Sequence, residues 1–194
     1  MLHRTIVHCA CALAALVAAD AFAQTSTSLP PQTIGRLPSD REIPTDLQQV
    51  QALQAAGKRA DALKLADQVL AKNPRDAQMR FVRGVLLTEL QKPEEAREVF
   101  QRLTEDFPEL PEPYNNLAVL YANEGRLDNA RAALEMALTA APGYSTALEN
   151  LGDVYLQMAA DAYQRASKAD PANRQADAKL VLARELITKS RSVR

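Results

Sequence analysis

The chain is poor in the side chains that carry most protein chemistry. Its 194 residues include no tryptophan, two cysteines, two histidines and six glycines, with aromatics at 5%. Cys9, Cys11, His3 and His8 all stand before Ala23. Residues 24–194 therefore hold no thiol for a disulfide and no imidazole. That excludes the usual zinc and copper ligand sets and the commonest general acid–base residue from this stretch. Gly-x-Ser-x-Gly, Ser-x-x-Lys and phosphate-cradling glycine loops are absent as well. No catalytic residue, metal ligand or cofactor is expected. The formal net charge of −1 supplies no field that would favour nucleic acid or anionic lipid.

Long apolar runs are scarce too. The one at residues 5–19 is too short to span a bilayer, follows the basic start Met1-Leu-His-Arg4, and precedes the small-x-small triplet Ala21-Phe22-Ala23. This pattern predicts a secretory signal peptide over 1–23, cleaved to leave Gln24 first. Cys9 and Cys11 precede most of the apolar run, so a lipoprotein signal is not expected. The expectation is a bacterial exported protein, periplasmic, with no membrane insertion after signal cleavage. Residues 24–44, beginning Gln24-Thr-Ser-Thr-Ser-Leu-Pro-Pro, have neither helical nor strand periodicity and read as a flexible Ser/Thr/Pro-rich leader.

What the chain does have is a period. Pro74, Pro108 and Pro142 recur every 34 residues, and Ala62, Ala96 and Ala130 keep step. Set at that offset, units run 43–76, 77–110 and 111–144, and a fourth opens at Ser145. Val50, Gly84, Ala118 and Gly152 form a small column, the place for two helix backbones to approach. Leu53, Leu87, Tyr121 and Tyr155 form a larger one. In the second half of each unit Ala66, Phe100 and Leu134 align, followed by Val69, Leu103 and Ala137. Gly57 and Gly125 mark a turn in mid-unit, where positive φ closes one helix and admits the next. Each unit reads helix, turn, helix, proline, and such units bury their apolar faces only by stacking. Thr45 and Gln48 complete a capping box where the first helix opens.

The unit at 111–125, Pro-Glu-Pro-Tyr-Asn-Asn-Leu-Ala-Val-Leu-Tyr-Ala-Asn-Glu-Gly, continues through Leu-Asp-Asn-Ala-Arg to Ala141-Pro142 and resembles the tetratricopeptide repeat family. The resemblance covers roughly residues 43–173. It implies an all-α, right-handed α-solenoid of helix-turn-helix repeats, whose first helices line a concave groove that holds another protein or a peptide segment.

The fourth unit departs from the pattern. Its proline is Pro171 and its aligned alanine Ala159, each 29 residues after the preceding one rather than 34. The missing residues are those of the turn. Strong helix formers fill 156–169, so the 145–173 unit is expected as one long helix in preference to a folded-back pair. Asn173 can then cap a last helix over 174–190, with Ala176, Leu180, Ala183 and Ile187 on one face, closing the end of the stack.

The groove-facing positions read from this register are Phe81, Val85, Glu89, Glu112, Asn115, Asn116, Asn123, Glu149, Asn150 and Asp153. Asn116 and Asn150 share one repeat position, and an amide can both donate to and accept from the backbone of an extended peptide. Members of the family that bind peptides use asparagine at the position these two resemble. Both amides are expected to face solvent when the groove is empty. The face carries carboxylates and amides where chaperone-tail binders of the family carry lysine and arginine, so it suits a neutral or basic segment. Arg80 and Arg83 are read either as reaching back to Asp46 or as ordinary solvated charges. The expected function is a non-catalytic exported scaffold for an envelope partner. The alternative is a docking accessory to an enzyme of peptidoglycan or outer-membrane maintenance.

Overall fold

A computed structural model describes residues 45–192; the signal and leader expected over 1–44 lie outside the described residues. Among these residues the chain forms eight helices and no strand. They are α1 (Asp46–Ala55), α2 (Arg59–Lys72), α3 (Ala77–Glu89), α4 (Pro93–Asp106), α5 (Pro111–Asn123), α6 (Leu127–Ala140), α7 (Ser145–Ala169) and α8 (Arg174–Ser192).

Local chemistry sets the helix starts. The Thr45 backbone N–H donates to Gln48 Oε1 at 2.8 Å and the Gln48 N–H to Thr45 Oγ1 at 3.2 Å, the reciprocal box that the sequence predicts. Asp76 accepts from the Met79 N–H at 2.9 Å, and Asn173 from the Ala176 N–H at 3.0 Å. Pro93 and Pro111 open α4 and α5, where a missing N–H has no helical partner to lose.

Three mid-unit turns share one geometry. The N–H groups of Lys58, Lys92 and Arg126 each donate 2.9 Å to a carbonyl five residues back, on Leu53, Leu87 and Tyr121. This closure demands a left-handed residue just before the donor. Gly57 and Gly125 supply it at φ 74° and 75°, and Gln91 holds the same conformation at φ 60°. Gln91 is thus a strained stand-in for glycine.

The stack follows the repeat register. Helices adjacent in sequence pack on one another, and α5 also touches α7. The core is three clusters, each drawn from adjoining units. Val50, Ala62, Ala66, Met79 and Leu86 join the first two units. Phe100, Leu103, Leu117 and Leu120 join the second and third. Ala130, Leu134, Ala137, Ala147 and Val154 join the third and fourth. Ala62, Ala96 and Ala130, the alanine ladder, are all completely buried. A Cβ added at Gly84 would lie 2.6 Å from the Phe100 ring, which is why the small column is small.

That column fails at its last member. Gly152 is exposed, and a Cβ built there would meet nothing within 4 Å. With no turn to fold it back, α7 runs unbroken for 25 residues and its second half leaves the first uncovered. α8 packs on α7 at the end of the stack through Ala176 and Ala183, while Val181, Leu182 and Leu186 remain exposed on its outward side.

Gln91→Gly should relieve the strained turn and raise stability by about 1 kcal/mol, an increase of roughly 2–4 °C in the unfolding midpoint. Circular dichroism melting checks this. A lowered midpoint would show that Gln91 makes a compensating contact.

Candidate peptide-binding groove

The first helices of the units, α1, α3, α5 and α7, carry the candidate groove. α5 and α7 meet directly although α6 separates them in sequence. Asn150 Nδ2 donates to Asn115 Oδ1 at 2.8 Å and ties these two helices together. The junction closes over the amides of α5. Asn115 is only 3% exposed and Asn116 7%. Asn116 Nδ2 donates to the backbone carbonyl of Glu112 at 2.9 Å.

The expectation of two open amides facing an empty groove is therefore corrected. Asn115, which meets Asn150 of α7, and Asn116 are both buried, and a buried amide has to be satisfied within the protein. Asn150, half-buried, spends one donor on Asn115. Asn115 and Asn150 tie the third and fourth units together, and Asn116 bonds within its own helix.

Phe81 and Val85 also depart from the expected groove lining. Val85 is 7% exposed and belongs to the cluster around Phe100. The half-buried Phe81 ring stands 5.7 Å from that of Phe100 in a tilted pair. Gly84 leaves Phe100 room to reach this side of α3, so Val85 joins the core and Phe81 packs against it. Glu89 is engaged as well: it accepts from Gln54 Nε2 at 2.8 Å and from Arg59 Nε at 2.8 Å, linking the first two units.

The remaining candidates stay accessible. Glu112, Asn123 and Glu149 are exposed, and Asp153 is half-buried. The accessible side chains are thus three carboxylates and an amide. Their negative sign is what a cationic or neutral segment would meet.

Arg80 and Arg83 do not reach Asp46. Arg80 pairs with Asp106 at 2.6 Å and lies 5.9 Å from the centroid of the Phe107 ring. Arg83 pairs with Asp67 on α2 at 2.6 Å, bridging the first two units. A shallow, open cleft between the first two mid-unit turns is lined by Gly57, Arg59, Gln91 and, of the groove candidates, Glu89. Among the described residues no group of histidine, cysteine or carboxylate side chains could hold a metal ion, and no helix is long and apolar enough to cross a membrane.

The sequence reading missed the bonds between first helices. Gln54–Glu89 and Asn115–Asn150 are each separated by 35 residues, one more than the repeat. A polar pair at period plus one places donor and acceptor on facing sides of adjacent first helices, and that spacing was the available signal.

Comparison with known proteins agrees with this architecture. The family model described as tetratricopeptide repeat matches residues 47–111 and 89–145. The chloroplastic tetratricopeptide repeat domain-containing protein PYG7 of Arabidopsis thaliana is 37% identical over 83 residues, which is 40% of this chain and 28% of that protein. The chain thus spans little more than a quarter of that relative's length. Among solved structures, MamA superimposes with a TM-score of 0.54 at 21% identity, over 70% of this chain and 82% of that one. The second repeat domain of human RPAP3, solved with the HSP70 peptide SGPTIEEVD, gives 0.53 at 18% identity, over 57% and 92%. YrrB, described as having an unusual peptide-binding site, gives 0.51 at 20% identity, over 68% and 70%. At these identities the likeness establishes the fold.

Asn150→Ala should leave the buried Asn115 carbonyl oxygen without this donor and lower stability by about 1–3 kcal/mol. Urea unfolding monitored by circular dichroism measures it. An unchanged midpoint would mean that water replaces the lost bond.

Proposed function

We propose that this chain, which belongs to the tetratricopeptide repeat family, is a non-catalytic exported scaffold that holds an extended, neutral-to-basic segment of an envelope protein against its first helices. The observation that carries this reading is the pair α5 and α7, locked side by side by Asn115 and Asn150, with Glu112, Glu149 and Asp153 on the same two helices. A rigid pair of helices lowers the ordering cost of binding. Carboxylates on it attract cations over a Debye length of about 8 Å at physiological salt.

The sign of the face does not suit the peptide with which the RPAP3 domain was solved. The peptide SGPTIEEVD carries three acidic side chains and would meet like charge here. Exposed carboxylates act mainly on association rate and partner choice, so recognition by this groove should weaken as salt rises.

Export rests on the basic, apolar and small-residue pattern of residues 1–23. Mass spectrometry of the protein from a periplasmic extract should find a chain beginning at Gln24, without lipid. A chain that retains Met1, or a lipidated cysteine, would overturn the address.

The groove is tested by capturing the partner through envelope cross-linking and titrating it against wild type and the Glu112→Lys, Glu149→Lys variant. Both positions are exposed, so the fold should be retained. Affinity should fall about five- to thirtyfold, from two reversed surface charges, and the loss should shrink at high salt. Equal affinities would move binding to another face.

A further inference from the structure

The fourth unit contains both halves of a repeat and cannot close on itself. In α7 the first-helix positions are Leu148, Gly152 and Tyr155; the second-helix positions are Ala159, Tyr163 and Ala166. In the complete units the equivalent positions meet each other: Phe100 sits over Gly84, and Ala96 and Leu103 are fully buried beside them. In α7 every one of the six is under-buried. Leu148 is 51% exposed and Tyr155 49%, and Gly152 faces open space. Ala159, Tyr163 and Ala166 are only half-buried, whereas the equivalent Ala130, Leu134 and Ala137 are completely buried.

Tyr163 shows what is missing. Phe100 belongs to a cluster that includes Leu117 and Leu120 of the next first helix, and it also covers Gly84 of its own unit. Tyr163 has the first kind of neighbour, since Lys179 of α8 lies 5.6 Å from its ring centroid. It lacks the second. A helix cannot fold back on itself without a turn, so Gly152 of the same chain is out of reach.

We infer that a second copy of this chain completes the unit: two α7 helices pair antiparallel, Gly152 of each against Tyr163 of the other. The register supports a two-fold pairing. Leu148, Gly152, Tyr155, Ala159, Tyr163 and Ala166 are spaced 4, 3, 4, 4 and 3 residues apart, which puts all six on one stripe of a straight helix. Within a complete unit the two helices run antiparallel, so a position one step later on the first meets a position one step earlier on the second. Carried onto α7, this pairing sets Gly152 against Tyr163 and Tyr155 level with Ala160, next to Ala159, about an axis between Gln157 and Met158. One two-fold axis there satisfies both halves of both chains. Exchange of identical elements through a shortened hinge is a low-cost route to such a dimer. The interface continues the stacking already present between α3 and α4 and between α5 and α6.

The test uses the chain with Cys9→Ser and Cys11→Ser, so that any introduced thiol is unique. Gly152→Cys combined with Tyr163→Cys should give a covalent dimer on mild oxidation. Eleven residues of helix separate these positions by about 16 Å within one chain, beyond the roughly 7 Å that a disulfide tolerates between Cα atoms. Each single-cysteine variant should remain uncrosslinked, because the two copies of either position lie far apart in the pairing. Sedimentation equilibrium should find wild type dimeric at micromolar concentration. Gly152→Arg should weaken the dimer at least about a hundredfold, since the clash occurs twice. Its melting as a monomer should not fall, because the added side chain meets open space. A five-residue turn inserted after Gln157 should yield a monomer by letting the unit close. A monomeric wild type, a dimer indifferent to Gly152→Arg, or cross-linking by the single variants would each overturn the inference.

Discussion

The stack depends on how closely two helix backbones can approach within one unit. Gly84 lies so near the Phe100 ring that even a methyl group would collide with it. Ala118 plays the same part beside Leu134 in the third unit, where both are buried. Close approach lets one large side chain fill the space between a helix pair and the next first helix. It also explains the alanine ladder: at Ala62, Ala96 and Ala130 anything bulkier would hold the helices apart. The three core clusters are the repeated outcome of this one contact, and stability in such a stack is the sum of neighbouring interfaces.

The same constraint gives the end of the solenoid its character. Gly152 keeps the small side chain that the column requires, but no helix lies over it. The helix that should have covered it continues straight on as the second half of α7 and receives α8 instead. A short deletion in a turn thus leaves two unsatisfied half-interfaces on one straight helix. The chemistry of packing is intact on both; only the connection that would bring them together is gone.

Function is distributed by the same rule of burial. Polar side chains near a helix–helix junction are used by the protein itself, as Asn115, Asn116 and Glu89 are. Those one turn away remain open to solvent, and here they are mostly acidic. A groove built in this way offers charge at its surface and rigidity beneath it. In the proposed groove, recognition by sign and shape takes the place of an amide ladder that grips a peptide backbone.

Most of the architecture was legible from the chain because a repeat displays each structural requirement several times. The proline and alanine periods, the glycine turns and the capping box at Thr45 are local or periodic signals, and all correspond to observed elements. Gln91 escaped notice because a turn can be closed by a residue that strains into the left-handed region, which composition does not reveal. The groove was harder. Repeat register identified which residues share a position, but whether Asn116 meets water or Phe81 meets a ligand depends on how deeply the next helix settles. That depth comes from side chains far away in sequence, Phe100 beneath Gly84 and Asn150 across from Asn115, so only the packed structure could tell an open amide from a buried one.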